Sequence, residues 1–199
     1  PDQENDTIIS RELLEKYIDY TPVDDKILND KEIQIGVDVA RFGDDSTIMY
    51  VKKGNYIIEE IKLDKKDTMQ TANRVARIVN EYSQNGIVAK IDGVGVGGGV
   101  IDRLAELQFP NLNIIEIQNN ARAFNENEYC NAITEMFYEF NEFLKRGFVC
   151  MPDDSELIEE LAGRKYEFDS KGRLRIESKK KKKKRFGRSP DKGDAFLMT

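Results

Sequence analysis

The sequence predicts an α/β fold: a mixed β-sheet flanked by helices, with one separate β-hairpin. Three apolar runs come early and predict strands, at residues 33–39, 46–52 and 56–63. The turn Lys53-Gly54-Asn55 joins the last two runs as an antiparallel hairpin. Helical patterns at residues 69–79 and 101–107 then alternate with strand patterns at residues 87–91 and 112–117. This alternation is typical of parallel strands linked by helices. Two later short strands flank the turn Asp169-Ser-Lys-Gly, at residues 166–168 and 174–176.

The first helix of this series has clear limits. Asp67 and Gln70 lie three residues apart, which is the spacing of a capping box. One apolar stripe follows at helical spacing, formed by Met69, Ala72, Val75, Ala76 and Val79. Gly86 ends the segment, so we expect an amphipathic helix packed on the sheet.

Three further helices follow the sheet. One apolar stripe runs between residues 128 and 146 and predicts a core-facing helix, through Tyr129, Ile133, Met136, Phe137, Phe140 and Leu144. Asp153 or Asp154 caps a short helix through Leu157 and Leu161. Ser189 as N-cap and Pro190 at the first helical position predict the start of the last helix. Before this helix, we expect the second strand of the hairpin, at residues 174–176, to run directly into the lysine tract at residues 179–185.

Residues 1–31 are predicted to form a linker helix and connector ahead of a compact domain at residues 32–199. Ser10 is the expected N-cap of a short helix with Leu13, Leu14 and Tyr17 on one face. Residues 21–31 contain Pro22 and clustered charges and are interpreted as a linker. The chain starts without Met, and we expect it to be part of a longer protein.

Composition excludes several classes of function. The chain has 199 residues, 39% of them hydrophobic, and lacks an apolar run long enough to predict a membrane span or a signal peptide. Cys130 and Cys150 match neither a zinc pattern nor a disulfide framework and are interpreted as plain thiols of a reducing cytoplasm. The absence of histidine directs any hydrolytic chemistry toward carboxylates and metal ions.

Charge is distributed unevenly. The net charge is −6, but residues 179–185 carry seven positive charges, which leaves −13 on the rest of the chain. Such a tract is either a solvated segment or a surface that binds DNA phosphates without selecting sequence. Its place between a hairpin and a helix favours contact with DNA. The predicted DNA-binding residues are Lys179, Lys180, Lys181, Lys182, Lys183, Lys184, Arg185 and Arg188.

Three aspartates are the candidate catalytic and metal-binding residues. Asp38 and Asp92 end apolar strands, and Asp194 lies in the first turn of the last helix. Each alone has a structural explanation as a strand-end, turn or helix-dipole residue. Together they predict a hard-oxygen site for two Mg2+ or Mn2+ ions that hydrolyses a phosphodiester without a protein base. Asp44 and Asp45 suit a turn, and Asp44 is also a candidate supporting ligand. Asp191 is interpreted as either a helper of the site or a helix cap.

The glycine-rich turn after Asp92 raises an alternative. Residues 93–98 satisfy G-x-G-x-x-G between a strand and a helix, and Glu116 lies where a dinucleotide fingerprint expects an acid. However, the strand follows an antiparallel meander and does not open a βαβ series. Asp92 would also repel a pyrophosphate unless a cation intervened, so a nucleotide-binding module is the weaker hypothesis.

These segments resemble the C-terminal nuclease domain of phage large terminase subunits. The resemblance is carried by IGVDVARFGDDST at 35–47, KIDGVGVGGGV at 90–100 and SKKKKKKRFGRSPDKGDAF at 178–196. TIISRELLEKYIDY at 7–20 is similar to the segment that joins the family's ATPase domain to its nuclease. The combination covers about residues 32–199.

The resemblance implies an RNase H-like fold and a metal-dependent endonuclease that cuts concatemeric viral double-stranded DNA in the host cytoplasm. It implies metal binding by Asp38, Asp92 and Asp194, with Asp44 matching a further aspartate of some members. It also implies that, in the full-length protein, the nuclease domain acts with an ATPase domain of the same chain, a small terminase subunit and a portal. No ATPase phosphate-binding motif is present in this sequence.

The chain is therefore predicted to be a divalent-metal-dependent endodeoxyribonuclease domain of a terminase. Three alternatives stay open at the level of sequence. The first is another RNase H-like nuclease, such as a junction resolvase or a hybrid nuclease. The others are the nucleotide-binding module and a non-catalytic DNA-binding subunit.

Overall fold

The structure is a computed structural model that describes residues 6–20, 32–40, 46–187 and 189–199. Its strands are β1 (Ile33–Asp38), β2 (Ser46–Lys53), β3 (Tyr56–Asp64), β4 (Ile87–Asp92), β5 (Leu112–Ile117), β6 (Tyr166–Phe168) and β7 (Leu174–Ile176). Its helices are α1 (Arg11–Glu15), α2 (Thr68–Glu81), α3 (Gly97–Leu107), α4 (Ala132–Lys145), α5 (Ser155–Ala162), α6 (Lys179–Phe186) and α7 (Asp191–Leu197).

The chain divides into two compact units. The first, called the sheet unit, contains the described parts of residues 32–118 together with residues 194–199. The second, called the helical unit, contains residues 6–20 and 119–193. The predicted boundary near residue 32 does not coincide with this division, because residues 6–20 belong with residues 119–193.

The sheet unit has the predicted mixed sheet. Its strand order is β3-β2-β1-β4-β5, with β1, β2 and β3 antiparallel and β1, β4 and β5 parallel. The predicted turn between β2 and β3 is present, and Gly54 has a φ of 59°, which favours glycine. The fold prediction of antiparallel strands followed by parallel strands is confirmed.

The core lies on one face of this sheet. Alternate residues of β1 point to it and are fully buried, at Ile33, Ile35 and Val37. Their cross-strand neighbours in β2 and β4 join them, and so do α2 and α3 through Val75, Ile78, Val100 and Leu104. Each fully buried aliphatic side chain of this kind contributes about 1.5–3 kcal/mol. The α2 N-terminus has the predicted capping box of Asp67 and Gln70.

The helical unit incorporates the predicted linker helix. Ser10 caps α1 as expected, accepting the Leu13 N–H. However, Ile9 and Leu14 are fully buried, and Thr7 forms a β-bridge with Lys165. The apolar side of the segment is therefore part of a core.

Two helices begin differently from the predictions. Helix α4 begins at Ala132 because the Asn131 side chain accepts the Thr134 N–H, while Tyr129 forms a bridge with Leu174. Helix α7 begins at Asp191, one residue after the predicted Pro190. Of the two candidate caps for α5, Asp154 is the residue used, accepting two backbone N–H groups.

The lysine tract forms a helix, α6, and does not continue the β7 strand. Ser178 is its N-cap, and Gly187 ends it with a φ of 80°. Lysine has a high helix propensity, and these two caps satisfy the helix ends despite the repulsion between like charges. The β6–β7 hairpin itself is confirmed. None of the helices within the described ranges is long and apolar enough to span a lipid bilayer.

Candidate functional site

Asp38 and Asp92 end two neighbouring parallel strands. Val37 of β1 pairs with Ile91 of β4, so Asp38 and Asp92 are the next residues of each strand. Residues at matched positions of adjacent strands project from the same face of a sheet. This places both aspartates at the carboxyl edge of the sheet, on the face opposite the hydrophobic core.

Asp194 belongs to the segment that covers this same face. Gly36 projects from the face two residues before Asp38, and a Cβ on Gly36 would overlap the carbonyl oxygen of Ala195. Tyr50, the cross-strand partner of Gly36, packs edge-on against Phe196, with ring centroids 5.6 Å apart. The backbone directly after Asp194 therefore lies against β1 and β2.

The three aspartates differ in their surroundings. Asp38 is 6% exposed and Asp194 2% exposed, and a buried carboxylate is costly unless positive charge or hydrogen bonds compensate it. Asp92 is half-buried, and its Oδ1 accepts the Val94 N–H at 3.0 Å. Within the described ranges, no three acidic or cysteine side chains are close enough together to hold a metal ion. The three-carboxylate ligand set therefore stays a prediction.

Two lysines project from the same face as these aspartates. Lys90 pairs with Gly36 and precedes Asp92 by two residues, and Lys52 pairs with Gln34. Burial lowers the pKa of both ammonium groups, and Lys90 helps to lower the pKa of Lys52 to about 8. The Lys52 Nζ donates to the Thr199 carbonyl oxygen at 2.7 Å. Sequence analysis missed both lysines, although strand alternation places Lys90 on the face of Asp92.

The glycine-rich turn packs tightly around the Asp92 backbone. A Cβ on Gly97 would overlap the Asp92 carbonyl oxygen, and a Cβ on Gly93 would overlap the Glu116 side chain. The Glu116 carboxylate therefore lies beside the turn in which a dinucleotide pyrophosphate would bind, and Asp92 lies at its start. Two acidic side chains at this position oppose phosphate binding and weaken the nucleotide-binding hypothesis.

Two predicted residues, Asp44 and Arg188, lie outside the described residues. Of the remaining predicted DNA-binding residues, Lys180, Lys183 and Lys184 are exposed on α6. Arg185 is exposed, but it donates to the Glu177 side chain and the Gly163 carbonyl, and Lys181 pairs with Glu167. Lys179 is half-buried, with its Nζ 3.6 Å from Asp191.

Lys182 corrects the predicted DNA-binding set. Its side chain is 1% exposed, its Nζ donates to the Glu160 carbonyl oxygen, and it lies 5.1 Å from the centre of the Phe186 ring. A helical tract of six lysines directs at least one of them inward, because a helix on a protein surface has an inner face. Lys182 therefore has a packing role in α6, and its ammonium group is not available to a DNA phosphate.

Several solved structures that resemble this chain are phage terminase nuclease domains. The nuclease domain of the large terminase subunit gp2 of bacterial virus Sf6 superposes with a TM-score of 0.77 at 16% identity, covering 96% of this chain and 97% of that one. The large terminase nuclease of thermophilic phage G20c with bound magnesium gives 0.67 at 16%, covering 100% and 97%. The Thermus phage P74-26 large terminase nuclease domain gives 0.63 at 14%, covering 96% and 93%.

Sequence comparison alone finds none of this likeness: no family model matches the chain, and no curated protein matches it. Other Sf6 and G20c nuclease structures contain manganese, calcium or cobalt. The sequence-based resemblance is thus confirmed as a likeness of fold that extends over nearly the whole chain. The chain has the RNase H-like fold of the phage large terminase nuclease domains.

Proposed function

We propose that this chain is the metal-dependent DNA endonuclease domain of a phage large terminase. The observation that carries the proposal is the placement of Asp38 and Asp92 at adjacent parallel strand ends. The fold that surrounds them is the fold of terminase nuclease domains whose structures contain magnesium or manganese. In the full-length protein, the proposed substrate is concatemeric double-stranded DNA in the host cytoplasm.

The residues at the sheet edge fit Mg2+ or Mn2+. Carboxylate oxygens are the ligands that both ions prefer, and Asp38 and Asp194 are carboxylates held away from solvent. A cation beside them would add favourable interactions with their negative charges. When bound, two such ions supply an activated water and neutralise the charge that develops on the leaving oxygen.

We assign roles to the three carboxylates by their positions. Asp38 lies on the central strand β1, beside Asp92 on β4, and is the proposed ligand shared by both ions. Asp92 and Asp194 are the proposed ligands of one ion each. The Asp92 Oδ1 already accepts the Val94 N–H, which restrains its rotation and prepares the carboxylate for binding.

The exposed lysines of α6 are the proposed contacts to DNA phosphates. Lys180, Lys183 and Lys184 are exposed. Contacts of this kind provide affinity and register without selecting sequence. The proposed partners of the full-length protein are an ATPase domain in the same chain, a small terminase subunit and a portal.

Plasmid cleavage tests the proposal. The chain is incubated with supercoiled plasmid in Mn2+, Mg2+, Ca2+ or EDTA, alongside Asp38→Asn and Asp92→Asn. We expect nicked and linear products with Mn2+ or Mg2+, none with EDTA, and at least a hundredfold loss in each variant. Cleavage in EDTA, or full activity of Asp38→Asn, would contradict the proposal.

The choice of substrate separates a terminase nuclease from other RNase H-like nucleases. Linear duplex DNA, a four-way junction and an RNA–DNA hybrid are compared at equal concentration. Cleavage of the plain duplex at a rate equal to or above the others supports a terminase. Activity confined to the junction or the hybrid would assign the chain to the alternative group.

A further inference from the structure

Glu160 holds the backbone directly before Asp194. Its side chain is buried in the helical unit, 4% exposed, and its Oε2 accepts the Gly193 N–H at 2.8 Å. Gly193 lies in the first turn of α7, where backbone N–H groups have no partner within the helix. Glu160 therefore fixes the orientation of the peptide that leads into the predicted metal ligand.

Lys182 contacts the backbone of Glu160. The Glu160 carbonyl belongs to the last turn of α5, where carbonyl groups lack intrahelical partners, and the buried Lys182 Nζ donates to it. Gly163 permits this approach, because a Cβ there would lie 3.4 Å from the Lys182 Nζ and would overlap the Phe186 ring. Two charged side chains are thus buried at the start of α7.

Net stability does not explain the burial of these two charged side chains. Replacing a buried ion pair with apolar groups of similar volume is often neutral or stabilising. Consistent with a costly site, burial raises the pKa of Glu160 to about 7, although the Gly193 N–H and Lys182 act in the opposite direction. What the pair does provide is a fixed acceptor for one particular N–H group.

We propose that Glu160 is a positioning residue for Asp194, with Lys182 holding Glu160 in place. This inference rests on the proposed function, because it assumes that Asp194 binds a metal ion. By fixing the Gly193 amide, Glu160 limits the freedom of the Asp194 carboxylate before an ion arrives. Groups that orient metal ligands in this way typically contribute 10- to 100-fold to metal affinity.

Three variants of the 199-residue chain separate the acceptor from the charge. Glu160→Gln keeps a side-chain oxygen that accepts the Gly193 N–H. Glu160→Met keeps the volume and removes the acceptor. Glu160→Met combined with Lys182→Met also removes the buried ammonium, so that the variant folds without an unpaired buried charge.

Calorimetric titration with Mn2+ is the main measurement, and thermal unfolding in EDTA reports folding. We expect Mn2+ affinity within about threefold of wild type for Glu160→Gln and a loss of about tenfold or more for the double variant. The double variant should also need more Mn2+ for half-maximal cleavage and should approach the wild-type rate at saturation. Its melting temperature in EDTA should change little, because removing two buried charges offsets the loss of their hydrogen bonds to the backbone.

Four outcomes would overturn the inference. Wild-type Mn2+ affinity in the double variant would show that the Glu160 acceptor is irrelevant to the site. An equal loss in Glu160→Gln would show that charge, and not positioning, matters. A double variant that is unfolded in EDTA would assign the pair to folding. A wild-type chain that binds no Mn2+ would overturn the proposed function, and this inference with it.

Discussion

The carbonyl oxygen of Ala195 occupies the space in which a side chain on Gly36 would begin. The contact joins the central strand of the sheet to the segment that carries Asp194. Atoms of Thr199 and Met198 also lie 3.0 and 3.2 Å from that position, closer than ordinary van der Waals contact. The absence of a side chain at one residue of β1 therefore determines how closely the last segment approaches Asp38.

Gly36→Ala should destabilise the chain and weaken metal binding. The new Cβ can be accommodated only by moving backbone, so we expect a loss of about 1–3 kcal/mol in the free energy of unfolding. Urea unfolding measures this loss, and calorimetry should show weaker Mn2+ binding. Gly86→Ala is the control, because nothing lies within 4 Å of its added Cβ. Equal stability of both variants would contradict the packing described here.

Two adjacent glycines of α3 should respond in opposite directions. At Gly98 an added Cβ meets nothing within 4 Å, so Gly98→Ala should stabilise the helix by up to about 1 kcal/mol. At Gly97 the Cβ would overlap the Asp92 carbonyl oxygen, so Gly97→Ala should destabilise by more than 1 kcal/mol. Thermal unfolding of the two variants checks both signs, and a stabilising Gly97→Ala would be inconsistent with this turn.

Two lysines of α6 should separate DNA binding from stability. Lys180 is exposed, so Lys180→Gln should reduce the slope of log affinity against log salt by about 0.9 and leave the melting temperature unchanged. Lys182 is buried, so Lys182→Gln should lower the melting temperature with little effect on that slope. DNA binding is measured by fluorescence anisotropy at several salt concentrations in Ca2+. A lower melting temperature for Lys180→Gln, together with a reduced salt slope for Lys182→Gln, would contradict the orientation of α6.

Lys52 should make the chain more stable at alkaline pH. Burial, reinforced by Lys90, lowers its pKa in the folded chain to about 8, whereas an unfolded lysine titrates near 10.5. Between these values the unfolded chain binds more protons, so the free energy of unfolding rises with pH. We expect a contribution of roughly 1–3 kcal/mol between pH 8 and pH 10. Urea unfolding of Lys52→Met should lack this rise, and identical pH profiles would rule it out.

Local patterns predicted most of the fold. The alternation in β1, the turn at Gly54 and the capping box of α2 depend on neighbouring residues, and each is present. Helix formation by the lysine tract is not predicted from its charge, because neighbouring like charges repel; the caps Ser178 and Gly187 are the local signals that favour the helix. The place of α1 was missed because its partners in α4 and α5 are distant in sequence.

The candidate site was predictable to a similar extent. Strand-end position identified Asp38 and Asp92 as neighbours, because β1 and β4 are parallel and adjacent. The roles of Lys52, Glu160 and Lys182 depend on contacts between distant segments, which periodicity does not report. Glu160 in particular has the appearance of an ordinary surface residue in an acidic helix until its hydrogen bond to Gly193 is known.

The covering of β1 by residues 195–199 also has a kinetic consequence. Lys52 and Thr199 are 147 positions apart, so this contact forms only after a large loop has closed. Contacts of such long range slow folding and form late. A ribosome that has made β1 and β4 has produced Asp38 and Asp92, two of the three proposed metal ligands, but not the segment that carries Asp194. We therefore expect nascent chains to lack metal-dependent cleavage until residues 194–199 have been made and have packed against β1.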